Sequence, residues 1–339
     1  IRQLRDHEIY QTKELPKLNE VKVSTMIKEV IFMKNHRLLD LRNSSEEEIR
    51  VPETIGELQC VLRHRTKGSK TESNCLAVFC TKSNPFVTVI DMKGSKRPRP
   101  ECHIASAVTS VSSIGGRFIV TGSSDCSVSL WRVSFTKKET GRLMIHNINN
   151  TGDENNEDYE IDLVSSSSFH SDEVVAVGGC YENGLVVSVD KKNILVFETI
   201  LSQKFINFVD LSNIDKSFDA DKKTQILVYK SGISAVAQKD TVIFFDCHGK
   251  LIYIWKIINC DEVFDVKKFY DFDTREILIV GYKFDKSNKI DIFDLTVFKS
   301  VETFETNYDH LCPMKNSRKI VISNGDKLSV IDFNCPNKI

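Results

Sequence analysis

The sequence predicts an all-β chain built as a β-propeller, and three observations carry that expectation. From residue 75 onward the chain is a succession of short runs rich in Val, Ile and Phe, set between Gly, Asn, Asp, Ser and Lys turns. Helical periodicity is almost absent: only Leu15–Phe32 and Ser44–Ile49 hint at it, and neither sustains an apolar face. The runs also come in pairs whose second member ends on an aromatic: Trp131, Phe197, Trp255, Phe293 and Phe333. A repeat of roughly 35–45 residues with several strands per unit points to radially repeated sheets rather than a sandwich.

Taken in order, residues 1–20 are expected as a linker or N-terminal extension and 21–339 as the propeller, opened by strand-like VKVSTMI (21–27), VIFM (30–33) and RLLDLR (37–42). CLAVFCT (75–81), FVTVIDM (86–92), RFIVTGS (117–123) and SVSLWRV (127–133) follow. Next come EVVAVGGC (173–180), GLVVSV (184–189), NILVFET (193–199) and KFINFVDL (204–211). The last are QILVYKS (225–231), TVIFFDC (241–247), KLIYIWKI (250–257), EILIVGYK (276–283), KIDIFDL (289–295), KIVISN (319–324) and KLSVIDF (327–333). Between them, GSSDCS, VDKKN, DCHGK and NGDK have hairpin chemistry, because Asp, Asn and Gly tolerate the left-handed backbone such turns need. The acidic, Asn-rich and Ser-rich tract at about 137–168 is expected as a mobile surface insertion. DKSFDADKK (215–223) spaces its acids like a calcium loop but lacks the closing Gly and Glu, so a solvated loop is expected.

Bulk composition excludes several functions. With 46 Lys+Arg against 47 Asp+Glu, the chain has no basic excess to hold nucleic acid. The most basic stretch, KGSKRPR (93–99), reads as an exposed loop. No run of 18 apolar residues exists to cross a membrane as a helix. The chain begins at Ile1 rather than Met, so a piece of a longer protein is expected. Ten cysteines are scattered singly; Cys75 and Cys80 have no matching downstream pair for zinc, while Cys180 and Cys247 read as buried core thiols of a reducing compartment. The eight histidines are dispersed and no Gly-rich phosphate loop is present, so no cofactor, metal or catalytic group is expected.

The stretch HIASAVTSVSSIGGRFIVTGSSDCSVSLWRV (103–133) resembles a WD40 repeat. The resemblance implies a WD40-type propeller, seven-bladed with degenerate repeats, in which His103, Thr121, Asp125 and Trp131 form a buried hydrogen-bonded tetrad. Such groups, taken out of water, must be fully partnered. His, Thr and Asp are also the ingredients of a hydrolase triad, but Thr121 lies within a strand and no G-x-S-x-G elbow is present. A second unit, FHSDEVVAVGGCYENGLVVSVDKKNILVFET (169–199), shares the layout with His170 and Asp172 ahead of its first strand. There Lys192 falls where the turn aspartate belongs and Phe197 or Glu198 at the Trp position, so the tetrad is expected to be lost.

The order of units from about 75 to 335 is similar to the C-terminal propeller of BEACH-domain proteins, the neurobeachin and lysosomal-trafficking-regulator family. HSDEVVAVGGCYENGLVVSVDKKNILVFET, FINFVDLS (205–212), QILVYKSGISAVAQKDTVIFFDCHGKLIYIW (225–255) and DFDTREILIVGYKFDKSNKIDIFDLTVFKSVETF (271–304) carry that resemblance. It implies a non-catalytic scaffold or adaptor that binds proteins or peptides through its loops. It also implies an N-terminal BEACH domain in the full-length protein, a role in vesicle and membrane trafficking, and a cytoplasmic location with peripheral membrane association. The competing expectations are a WD40 accessory subunit of an RNA-modifying or RNA-processing complex, which needs a basic face, and a propeller hydrolase, which needs polar groups converging on the central channel.

Overall fold

The computed structural model describes backbone and side chains at residues 108–115, 118–133, 161–271, 275–285, 287–308, 310–314, 318–324 and 329–333, and elsewhere only the backbone of strands. The chain is all-β, and no α-helix occurs among the described residues. Two short strands come first, β1 (Ile9–Tyr10) and β2 (Lys13–Glu14). β3 (Ile31–Lys34), β4 (Arg37–Asp40) and β5 (Glu48–Arg50) form sheet I; of the helical hint at Ser44–Ile49, Glu48 and Ile49 are strand and the rest lies outside the described residues. Sheet II holds β6 (Ile55–Arg65), β7 (Ser73–Thr81), β8 (Phe86–Asp91) and β9 (Arg99–His103). β10 (Val108–Gly115), β11 (Phe118–Ser123), β12 (Val128–Lys137) and β13 (Glu157–Ser167) make sheet III.

Sheet IV comprises β14 (Val174–Cys180), β15 (Leu185–Asp190), β16 (Ile194–Thr199) and β17 (Phe205–Asp210). β18 (Gln225–Val228), β19 (Ser234–Gln238), β20 (Thr241–Phe245) and β21 (Leu251–Lys256) form sheet V. Sheet VI is β22 (Glu262–Asp271), β23 (Arg275–Phe284), β24 (Ser287–Asp294) and β25 (Lys299–Glu305). The last, sheet VII, is β26 (His310–Pro313), β27 (Lys319–Asn324) and β28 (Lys327–Asp332). Every sheet is an antiparallel meander in chain order. The N-terminal strands complete two of them: β1 adds in parallel to β25 and β2 adds antiparallel to β28. Residues 9–10 and 13–14, expected within a linker, therefore belong to sheets VI and VII, whereas VKVSTMI (21–27) lies outside the described residues.

Sheets II to VII stack face to face in sequence. First strands pack on first strands: β6 on β10, β10 on β14, β14 on β18, β18 on β22 and β22 on β26. An apolar core fills each described interval. Ile114, Leu130, Val177 and Val186 lie between III and IV; Phe197, Leu211, Val236 and Phe245 between IV and V. Phe244, Leu278, Val280 and Phe293 lie between V and VI, and Phe269, Ile292, Ile320 and Phe333 between VI and VII. Burial on both faces explains why β14 and β15 read as unbroken apolar runs instead of alternating. Close stacking also explains two glycines in β14. A Cβ on Gly178 would stand 2.6 Å from the Ile226 carbonyl oxygen, and one on Gly179 would stand 2.5 Å from Ile114 Cγ2.

Two expectations about loops are corrected. The tract at 137–168 is not one insertion: Glu157–Ser167 is strand β13, paired with β12 from Val128↔Ser167 to Lys137↔Glu157. Its Tyr159, Ile161 and Leu163 alternate with acids, which is strand periodicity; residues 138–156 lie outside the described residues. The 215–223 segment is a loop only partly in solvent: six of its nine residues are exposed, but Phe218 and Ala220 insert into the core between sheets IV and V. Asp215 there accepts from the Ser217 amide (2.9 Å) and hydroxyl (2.7 Å) and faces Lys256 at 3.1 Å. Those donors, with Ser217 foremost, hold its carboxyl at about 2. No group of three or more His, Cys, Asp or Glu able to hold a metal occurs among the described residues.

Candidate functional site

Strand register positions the tetrad residues of sheet III. Thr121 on β11 pairs with Ser129 on β12, and Trp131 lies two residues further along β12 on the same face. Trp131 Nε1 donates to Thr121 Oγ1 at 2.9 Å, and both residues are buried. Asp125 occupies the β11–β12 turn, where its carboxylate accepts from the Ser127 amide (3.0 Å) and hydroxyl (2.6 Å). Cys126 beside it takes the positive φ (68°) that tight turns demand. His103 ends β9, and its side chain lies outside the described residues.

Sheet IV reverses the expectation of a lost network. His170 Nε2 meets Ser188 Oγ at 2.8 Å and His170 Nδ1 meets Asp190 Oδ2 at 3.2 Å, with the His170 and Asp190 side chains fully buried. An ionised carboxylate only accepts, so Nδ1 carries a proton toward Asp190, and in the neutral ring Nε2 accepts from Ser188. The second carboxylate oxygen of Asp190 accepts from the amides of Lys192 and Ile194, each at 3.0 Å. Burial opposes ionisation of Asp190, but His170 and those amides more than offset it and hold the carboxyl below its ordinary value. Ser188 and Asp190 were missed because the expected aspartate sits four residues after the strand hydroxyl, as Asp125 follows Thr121. The second hairpin of sheet IV keeps the register of sheet III (Ser188↔Val196 as Thr121↔Ser129), but its acid stands only two residues after the hydroxyl, at the end of β15.

The remaining residues of this unit play smaller parts. Lys192 does stand at the register position of Asp125, but its ammonium reaches outward to Ser171 O at 3.4 Å and Asp172 at 3.8 Å and takes no part in the buried network. Asp172 accepts from the Glu173 amide at 2.7 Å. Phe197 is core, edge-on to Phe245 at 6.0 Å. Register decides between Phe197 and Glu198 as the counterpart of Trp131. Ser188 pairs with Val196, so the position two residues further on is Glu198. A shift in third-to-fourth-strand pairing falls just before Trp131, Glu198, Phe245 and Phe293 in sheets III to VI, marking them as one structural position.

A second polar cluster gathers where the first strands of sheets IV, V and VI end. The Cys180 thiol donates to Glu182 at 3.2 Å, Glu182 lies 3.9 Å from Lys230, and Lys230 sits over the Tyr270 ring at 4.9 Å. Lys268 donates to the Val228 carbonyl at 3.3 Å, and Asn183 to the Tyr229 carbonyl at 2.5 Å. Burial, with the Glu182 contact second, raises the Cys180 thiol, so it stays protonated at neutral pH and is not a nucleophile. Burial pulls the Lys268 amine below its usual value. Cys180 is buried as the sequence suggested, whereas Cys247 is half-buried in its turn. Lysines 230 and 268 and glutamates 182 and 276 balance in charge, and the arrangement can fix loops and offer paired donors and acceptors to a polar partner.

The outer strand of sheet IV exposes aromatic surface. Phe205 lies 5.4 Å from Phe169 and 6.3 Å from Phe208. All three are exposed, Phe208 by 60%. No helix among the described residues is long and apolar enough to cross a membrane. No family model and no curated protein matches the chain.

Proposed function

We propose that the seven sheets close into a seven-bladed propeller serving as a non-catalytic scaffold for protein partners, of the kind found at the C-terminus of BEACH-domain proteins. The observation that carries this reading is the pairing of β2 with β28, which brings the N-terminal segment onto the outer strand of the last sheet. With first strands packed on first strands from β6 to β26, that pairing fits a ring fastened by its own two ends. The exposed Phe169, Phe205 and Phe208 cluster and the loop-end polar cluster supply partner surfaces of two characters. On this reading the protein works in the cytosol, at membrane surfaces in vesicle trafficking, without cofactor.

Two measurements test it. Electron-microscopic class averages of the purified chain should show a disc with seven radial sheets; an open arc or another number of sheets refutes closure. Sequencing the transcript upstream of the Ile1 codon tests the family, and a full-length message encoding no BEACH domain ends that assignment. For the scaffold itself, cytosolic proteins captured by the chain should be lost by a Phe205→Ser/Phe208→Ser or a Glu182→Ala/Lys230→Ala variant that melts as wild type does.

A further inference from the structure

We propose that Glu198 is a proton-operated latch between sheets III and IV: the neutral carboxyl lets the two sheets close on it, and loss of its proton loosens their outer contact. Glu198 is fully buried, and among the described residues neither of its oxygens has a hydrogen-bond partner. It stands at the position that Trp131 fills in sheet III, where the indole reaches its Thr121 acceptor. The corresponding hydroxyl of sheet IV, Ser188, is taken by His170, and Glu198 is directed toward sheet III instead.

What meets it there is one poorly placed hydroxyl and an unpartnered amide oxygen. Ser167, at the end of β13, lies near enough for its hydroxyl to influence the carboxyl yet makes no bond of good geometry; its Oγ also lacks a partner. Gln203, 5% exposed in the β16–β17 turn, donates its amide to the carbonyl of Val128 at 2.9 Å. Val128 is the register partner of Ser167, so the Gln203 side chain ends at the same edge of sheet III, and its Oε1 is again unpartnered. Two carboxyl oxygens and an amide oxygen in an apolar setting need a donor, and a carboxyl proton supplies one at no cost in volume.

No opposing charge acts on Glu198 among the described residues. On its own sheet, His170 and Asp190 are bound to one another, and its cross-strand neighbours are Val186 and Phe205. From β12 and β13, Arg132 and Asp162 pair with each other at 3.3 Å on the surface, and Lys204 beside Gln203 is exposed. Burial therefore dominates and raises the carboxyl from 4.5 to about 7.

The sign follows from linkage. The folded state holds this proton more tightly than the unfolded chain, so the contribution is full below pH 4.5 and lost as pH rises to about 7. The gap between those two values corresponds to roughly a 300-fold change in the folding constant. Denaturation at pH 4.5 and 7.5 should show wild type losing about 100-fold of that relative to Glu198→Gln; a ratio constant within threefold overturns the latch. Should the Gln variant not fold, carbon-13 carboxyl NMR of glutamate-labelled wild type decides: one side chain should titrate near 7. If every glutamate of the folded protein titrates below about 5.5, Glu198 is an ionised group held by ordered water and no latch exists. Amide exchange, corrected for intrinsic rates, should also quicken in β13, β16 and β17 between pH 6 and 8 while β23 and β24 stay unchanged. A uniform response would mean that the proton acts on global stability and not on this contact.

Discussion

Replacing Asp190 with Ala tests the buried network of sheet IV most directly. The carboxylate satisfies three donors at once: His170 Nδ1 and the amides of Lys192 and Ile194. Stranding a buried donor costs about 1–3 kcal/mol, although water reaches the Lys192 amide in the turn and recovers part of its share. The His170 ring has no such recourse, being fully enclosed. A loss of about 2–4 kcal/mol is therefore expected, one enclosed donor at full cost and two amides partly rehydrated. Against a domain stability of order 5–15 kcal/mol that is a large fraction, readable as a shift of the urea midpoint at constant slope.

Lys192→Ala is the matched control, since that ammonium is half exposed and its nearest carboxylate oxygen lies at 3.8 Å. It should cost no more than about 0.5 kcal/mol. The acid limb supplies a second reading. Asp190 has its folded pKa held below the ordinary 3.8, so its contribution is present above that value and vanishes as pH falls through the folded one. The Ala variant should lose that part of the acid sensitivity. If Asp190→Ala and Lys192→Ala shift the midpoint equally, the network contributes nothing and the reasoning is wrong.

Thr121→Val should destabilise by about 1–2 kcal/mol, because it leaves the Trp131 indole N–H buried without its acceptor; a Trp131→Phe background should erase most of that cost in a double-mutant cycle. Asp125 is exposed in its turn and not buried as the tetrad expectation had it, so Asp125→Ala should cost about 0.5–1.5 kcal/mol by urea denaturation, through the turn that its carboxylate closes on Ser127. Gly178→Ala should cost about 1–3 kcal/mol or more, since the new Cβ meets the backbone of Ile226, which cannot swing aside; calorimetry showing a stabilised variant would contradict the close stacking of sheets IV and V. Cys180 should react with iodoacetamide far more slowly than a free thiol at pH 7.5 and accelerate only on unfolding.

The strands legible in the sequence are the ones buried on both faces. β14, β15, β20 and β23 announce themselves as apolar runs because a sheet lies on either side of each. Those that escaped notice sit at the margins of their sheets. β10 (VTSVSSIG) and β22 (EVFDVKKFYD) are first strands, and their Ser, Thr and charged residues dilute the apolar signal. β9 (RPECH) and β13 are outer strands with water on one side, where Pro100 and a row of acids are tolerated. Composition thus reports burial before it reports hydrogen bonding, and a strand that is paired but half-solvated looks like a loop.

The networks were legible only where residue spacing happened to coincide with strand register. Counting four residues from hydroxyl to acid finds Asp125 from Thr121 but lands on Lys192 from Ser188, because sheet IV carries its acid at the end of β15 and not in the turn, although the two hairpins share one register. Ladder register does not suffer this slippage: the hydroxyl, its cross-strand partner and the residue two beyond keep their places whatever the turn does. By that measure Thr121 and Ser188 are followed by Val236 and Val280 in sheets V and VI, while Trp131 and Glu198 are followed by Phe245 and Phe293. Where the hydroxyl has become valine, the partner position has become phenylalanine, and the polar pair has been exchanged as a unit for apolar packing. Sheet IV has made neither half of that exchange: it keeps the hydroxyl, Ser188, and sets a carboxyl where sheet III has the indole, and among the described residues neither oxygen of that Glu198 carboxyl makes a hydrogen bond.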